Sequence, residues 1–194
     1  MKRILLVFMA IAVSAHAFAQ AKPTPQPRPA AVRVKVESSR LQVDDGDTVV
    51  IRWSAQDNET VRILGIDCPE TQHLEHDIPF DQPFGLDAFA FARGVFAVAR
   101  NVELMRASTL DPYGRTLGYL YIDRRNYSEL VIEQRLAYES VTQFGDNGFP
   151  AEAERVTAAA KRSGPLPFEP PFQFRARMAQ VARWMKANGT YPVH

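Results

Sequence analysis

Residues 32–36, Val32-Arg33-Val34-Lys35-Val36, alternate apolar and cationic side chains with period two, the pattern of a strand with one face on a core. Residues 48–53 and 60–66 are rich in β-branched side chains, and residues 102–105 and 115–122 are further short apolar or aromatic runs, so five strands are predicted. Gln56-Asp57-Asn58-Glu59 supplies turn chemistry between the second and third, which makes them a hairpin. From residue 84 to 100 the period changes: Phe89, Ala92, Phe96 and Ala99 recur at three and four, predicting an amphipathic helix with Pro83 suited to its first turn. Ser128 is placed to cap a second helix through about Arg135, and residues 151–162 form a third, ended by Ser163-Gly164-Pro165. A further helix is predicted over residues 175–188. The order βββαββα with a trailing helix points to an α+β domain in which an all-β core, a small barrel of short strands, carries packed helices.

The chain ends frame that domain. Lys2 and Arg3 precede an apolar run at residues 4–13, followed by Ala17-Phe18-Ala19, which is the pattern of a cleavable export signal over residues 1–19. The apolar run is too short to span a bilayer, which takes ~20 residues. An exported protein is therefore expected, in the periplasm or the extracellular medium, with no membrane span after cleavage. Residues 20–31 hold prolines at 23, 25, 27 and 29 and read as an extended linker. The domain is expected over residues 32–164 and a C-terminal extension, helical in its second half, over residues 165–194. Cys68 is the only cysteine, so no intrachain disulfide forms and stability falls to the core or a bound ion. A buried, inert thiol is the ordinary state of such a residue.

Of the 194 residues 46% are apolar and 23% charged, which excludes a disordered polyelectrolyte. The formal net charge of +1 conceals a division. Residues 41–142 carry nine Arg and no Lys against seventeen Asp and Glu, a net −8, while residues 20–40 sum to +4 and residues 143–194 to +3. An acidic body thus lies between two basic arms. The tail sets Arg175, Arg177, Arg183 and Lys186 near Phe172, Phe174 and Trp184, a mixture suited either to a nucleic-acid strand or to packing on the barrel.

The polar residues that a barrel core does not need fall in three segments. Asp44-Asp45-Gly46-Asp47-Thr48 gathers carboxylates around a glycine before a strand, and Arg62-Ile63-Leu64-Gly65-Ile66-Asp67-Cys68-Pro69-Glu70 ends a strand with two more, where Pro69 lets Asp67 and Glu70 turn towards a common point. Carboxylates gathered this way repel one another unless a hard cation such as calcium, which takes ~6 to 8 oxygen ligands, is shared between them. Asp-Gly-Asp by itself is more often a solvated turn. The third segment is Asp111-Pro112-Tyr113-Gly114-Arg115. His73 and His76, three apart between two prolines, lack a third ligand at zinc spacing and read as a surface loop.

In this order and with these elements, the three segments over about residues 41–162 resemble the thermonuclease (staphylococcal nuclease-like) family. The resemblance implies an OB-fold five-stranded barrel with three helices. It implies that Asp47 and Asp67 ligate Ca²⁺ through their carboxylates and Cys68 through its backbone carbonyl, that Glu70 is the general base, and that Arg62 and Arg115 grip the scissile phosphate. It also implies hydrolysis of DNA and RNA to products ending in 3′-phosphate, by a protein expected to be monomeric. Tyr113 would contact the substrate. Pro112 replaces a lysine of the best-known members, and two nucleotide-contacting tyrosines of those members would fall at Val141 and Gln143, with Tyr138 nearby as a substitute. Two other classes compete with the nuclease: a non-catalytic OB-fold module that binds nucleic acid, and an exported protein stabilised by a metal.

Overall fold

The computed structural model describes residues 23–192; the expected export signal and the first residues of the linker lie outside them. The chain runs β1 (Arg33–Val36), β2 (Leu41–Val43), β3 (Thr48–Arg52), β4 (Asn58–Ile63), β5 (Ile66–Asp67), α1 (Gly85–Val98), β6 (Val102–Leu110), β7 (Thr116–Ile122), β8 (Arg125–Asn126), α2 (Tyr127–Glu133), β9 (Tyr138–Glu139), α3 (Val141–Phe144), α4 (Pro150–Ser163) and α5 (Pro171–Ala187). The main sheet has the order β1-β6-β7-β4-β3-β2, with β8 on β7, and curls into an OB-like half-barrel. Its neighbours are antiparallel except for the parallel β4–β7 pair. Inward side chains of the strands, among them Val49, Ile51, Val61, Leu104 and Leu120, merge in one apolar core with Ala88, Ala92 and Phe96 of α1, Val131 and Ile132 of α2, and Val156 and Ala159 of α4. The helices therefore cover the open side of the curled sheet, and removing this apolar surface from water is the main force that holds the two layers together.

The five expected strands are present, but the third is broken. Leu64 and Gly65 form a turn between β4 and β5, and β5 leaves the main sheet to pair with β9. The second helix is also capped differently from the expectation: the Asn126 side chain accepts the Ser128 amide at 2.9 Å, while the buried Ser128 hydroxyl donates to the Leu64 carbonyl at 2.7 Å. Asparagine is as good a cap as serine, and Ser128 is more useful tying α2 to the turn that precedes the candidate site.

The proline-rich stretch, expected as an extended linker, is not a free spacer where it is described, from residue 23 on. Its backbone lies along β6, with Gln26 N–H donating to Ser108 and Ala31 N–H to Arg106, both at 2.9 Å, and Leu110 N–H donating back to Thr24 at 2.9 Å. Prolines at alternate positions leave the intervening amides free to bond an edge. The segment also closes over a buried ionic knot. Glu59 of β4, 5% exposed, accepts two bonds from Arg106 of β6 at 2.7 and 2.8 Å, one from the Thr116 hydroxyl at 2.7 Å and one from the Trp53 indole at 2.7 Å. Arg28 of the stretch pairs with Asp57 and lies 3.6 Å from Glu59. The basic arms thus meet the acidic body directly: Arg33 pairs with Glu103, Arg28 with Asp57, Lys186 with Asp77.

Candidate active site

The site grows from three backbone features. The first is the Asp-Gly-Asp turn, where Asp45 Oδ1 accepts the Asp47 amide at 2.8 Å and directs Asp47 inward. A Cβ on Gly46 would stand 2.7 Å from the Cys68 Cβ, so only glycine lets this turn lie against the segment that carries Asp67. The Asp47 carboxylate then accepts the Cys68 amide at 2.7 Å, stitching the two acidic segments together. The second is the Leu64–Gly65 turn. On an unbroken strand Arg62 and Asp67 would face opposite sides, but the turn changes the parity and Arg62 Nη2 donates to Asp67 Oδ1 at 2.9 Å. Pro69 follows the end of β5, and Asp67 and Glu70 on either side of it converge on one guanidinium, that of Arg175.

The third feature is the loop of residues 69–84. Gln82, 2% exposed, donates its backbone amide to the Glu70 carbonyl at 2.8 Å and accepts the Glu70 amide on its side-chain oxygen at 3.2 Å. Gly85, at the start of α1, has no room for a side chain: a Cβ there would lie 2.1 Å from the Glu70 carbonyl oxygen. Gly85→Ala is accordingly expected to cost about 1 to 3 kcal/mol through a forced backbone shift. Thermal unfolding followed by circular dichroism checks this, and an unshifted midpoint would refute it.

Arg62 is the hub. Its guanidinium pairs with both Asp47 and Asp67, whose residues are each 4% exposed. A second guanidinium approaches from outside the expected site. Arg175 of α5 donates Nη1 and Nη2 to the two Asp67 carboxylate oxygens at 3.0 Å each, and Nη1 also reaches Glu70 Oε1. Burial raises the Glu70 pKa above the ordinary carboxylate value, and the Arg175 charge and hydrogen bond pull against it. Burial disfavours the Arg175 charge, yet its bonds to Asp67 and the charges of Asp67 and Glu70 outweigh that and raise its pKa. Burial likewise pushes up the thiol of Cys68, which is free and buried as expected, with the Asp45 charge adding to the effect.

Arg115 is not part of this cluster. It lies in the β6–β7 turn, where Asp111 Oδ1 accepts the Tyr113 and Arg115 amides at 2.9 and 2.8 Å and Oδ2 accepts Arg115 Nε at 2.6 Å. The parallel register sets Leu117 beside Arg62, so Arg115 stands two residues before that level on the neighbouring strand. Tyr113 is 84% exposed, with its ring centroid 5.5 Å from the Arg115 guanidinium carbon. Tyr138 of β9 is the register partner of Asp67. Expected site residues are therefore brought together in one cluster, Asp47, Arg62, Asp67 and Glu70, with Arg115 and Tyr113 set apart on the adjoining turn.

Among the described residues, no group of three or more His, Cys, Asp and Glu side chains is arranged to hold a metal. The donors nevertheless suit a hard divalent ion in their chemistry. Asp47 and Asp67 already share one cation, Arg62, and without Arg175 the carboxylates of Asp47, Asp67 and Glu70 exceed Arg62 by two negative charges. Two carboxylates completed by backbone carbonyls and waters form an ordinary Ca²⁺ shell.

A curled OB-like sheet whose parallel strand pair ends beside a cluster of carboxylates and arginines defines an α+β protein with a polar site at the edge of its barrel. The chain belongs to the staphylococcal nuclease homologue family, whose model matches residues 60–164. It is similar to Endonuclease YncB of Bacillus subtilis (strain 168), 31% identical over 108 residues that make up 53% of this chain and 49% of that protein. It is also similar to SPbeta prophage-derived endonuclease YokF of the same strain, 32% identical over 108 residues, 53% of this chain and 35% of that one. Thermonuclease of Staphylococcus intermedius is 33% identical over 96 residues, 50% of this chain and 55% of its own. The chain thus spans about a third to just over half of the length of these curated relatives. Arg62, Asp67, Glu70 and Arg115 lie inside the family-matched residues, whereas Asp47 and Arg175 lie outside them.

Proposed function

We propose that this protein is an exported nuclease that hydrolyses phosphodiester bonds of DNA and RNA with Ca²⁺, leaving 3′-phosphate ends. The observation that carries the reading is the cluster in which Arg62 joins the buried Asp47 and Asp67 and Arg175 links Asp67 to Glu70, with Arg62, Asp67 and Glu70 on the family-matched segment. Arg62, freed in part from the aspartates, and Arg115, held through its Nε by Asp111, present planar forks that match phosphate oxygens in pairs. Glu70 accepts the proton of the attacking water, whose oxygen forms the new bond to phosphorus. The bond to the 5′-oxygen breaks, that oxygen takes a proton from solvent water, and Glu70 returns the proton it accepted to solvent. Burial of Glu70 raises its basicity towards the working pH, which suits a general base. Asp47 and Asp67, with the backbone carbonyl of Cys68, would hold the ion. When bound, Ca²⁺ supplies positive charge against the phosphate oxygens as negative charge develops there. Exposed Tyr113 and Tyr138 are available to stack on bases, each contact being worth about 1 to 3 kcal/mol. The signal-like pattern at residues 1–19 supports export.

Digestion of single-stranded DNA and of RNA by the purified protein, in Ca²⁺ and in EDTA, tests the reading. Cleavage in Ca²⁺ that EDTA abolishes is expected, with products that need a phosphatase before 3′ extension. Equal cleavage in EDTA would remove the cation from the reaction. Binding without cleavage in either condition would replace the nuclease with a nucleic-acid-binding OB module.

A further inference from the structure

The C-terminal helix α5 is held differently from the rest of the fold. Its inward residues Phe174 and Met178 form a small apolar cluster with Ile78, apart from the main core. Polar contacts of this helix and its flanks reach the loop that follows Glu70. Gln82 donates to the Glu169 carbonyl at 2.7 Å, the Tyr191 hydroxyl donates to the Leu74 carbonyl at 2.6 Å, and Lys186 pairs with Asp77. At the centre of this satellite, Arg175 takes both oxygens of Asp67 and one of Glu70, while its side chain remains 38% exposed. Asp67 has just two carboxylate oxygens, and both are engaged by this one guanidinium.

Resting on the reading above, in which Asp67 is a ligand of the divalent ion, we propose that Arg175 is an internal counter-cation that competes with that ion for Asp67 and holds Glu70 out of use, so that α5 acts as a latch on the site. A guanidinium laid across both oxygens and a divalent ion at the same carboxylate compete for its lone-pair sites and repel each other, so each weakens the other's hold. Binding of the ion therefore turns Arg175 out of the cluster and leaves Glu70 able to accept a proton. The weak satellite core makes such a displacement affordable, since few buried apolar contacts define the low-stability end of a structure. The latch belongs to residues beyond the family-matched segment, which ends at residue 164.

Calorimetric titration of the full chain with Ca²⁺, for the wild type and for Asp67→Asn, Arg175→Ala and Arg175→Lys, tests the latch. Wild-type binding that Asp67→Asn abolishes establishes Asp67 as a ligand. Given that, Arg175→Ala is expected to bind Ca²⁺ at least about tenfold more tightly, since a charge-assisted bidentate bond no longer opposes it. Arg175→Lys, a point charge without the fork, should fall between the two. Limited proteolysis gives a second reading: Ca²⁺ should speed cleavage between α4 and α5 in the wild type, and α5 should already be loose in Arg175→Ala without Ca²⁺. Equal or weaker Ca²⁺ binding by Arg175→Ala, with its circular dichroism spectrum retained, overturns the latch and leaves the cation reading standing. Absence of Ca²⁺ binding in both the wild type and Arg175→Ala overturns both. If Arg175→Ala does not fold, the lysine variant decides: wild-type affinity or less refutes the competition.

Discussion

Glu70→Gln is expected to lower the rate of DNA cleavage in saturating Ca²⁺ by about 10² to 10⁴, the usual contribution of a positioned base. The amide keeps the size of the side chain but has no proton affinity to offer the attacking water. The Glu70 backbone is pinned through Gln82 and packed against Gly85, so the loop should survive the change. The variant loses one charged bond to Arg175, while that arginine keeps both bonds to Asp67. Initial rates on single-stranded DNA, alongside circular dichroism, measure the effect. A rate within about twofold of wild type would remove Glu70 from the reaction, since even one lost preorganised group commonly costs ~10².

The second large effect is on stability and lies away from the site. Glu59→Gln removes the carboxylate that Arg106 holds at 2.7 and 2.8 Å, leaving a guanidinium with a side chain 3% exposed and, among the described residues, no ion-pair partner. Breaking one partner of a buried pair costs about 3 to 5 kcal/mol. Burial alone would raise the Glu59 pKa, but bonds from Arg106, Thr116 and Trp53 prevail and hold it below its ordinary value of 4.5. A carboxyl depressed on folding stabilises the native state above its unfolded pKa, and that contribution is lost as the pH falls through the lower folded one. Wild type should therefore lose stability below about pH 4.5, with Glu59 contributing to the fall. Urea titrations across that range should give the glutamine variant a lower stability at neutral pH and a flatter decline in acid. Parallel curves would show that Glu59 carries no such linkage.

Much of the core architecture was legible because it is written in short-range periodicity. Period-two and β-branched runs located β1, β3, β4, β6 and β7, and the three-and-four spacing of Phe89, Ala92, Phe96 and Ala99 located α1. The short strands β2 and β9 escaped, since three and two residues carry too little pattern to distinguish. The charged residues of the candidate site were legible as a motif, but the way they meet was not: the β-branched run places Gly65 in a strand, whereas its turn is what lets Arg62 reach Asp67. Arg175 could be seen only as one cation in a basic tail. Its partners are more than 100 positions away, and the sole sequence signal was the mismatch of an acidic body with basic arms. Likewise the prolines before residue 30 announced an extended chain without saying which edge it lies on.

Both arms are secured by contacts between distant parts of the chain. Gln26 meets Thr116 across 90 positions and Arg175 meets Asp67 across 108, whereas β3 and β4 join through a tight local turn. Long loops lose entropy on closure before their contacts return anything, so such pairings form late. The hairpin is thus the natural place for folding to begin, and the arms are its closing steps. Protection of residues 24–31 and of α5 from hydrogen exchange would then be the last to appear during refolding, a clock for the moment at which the chain becomes whole.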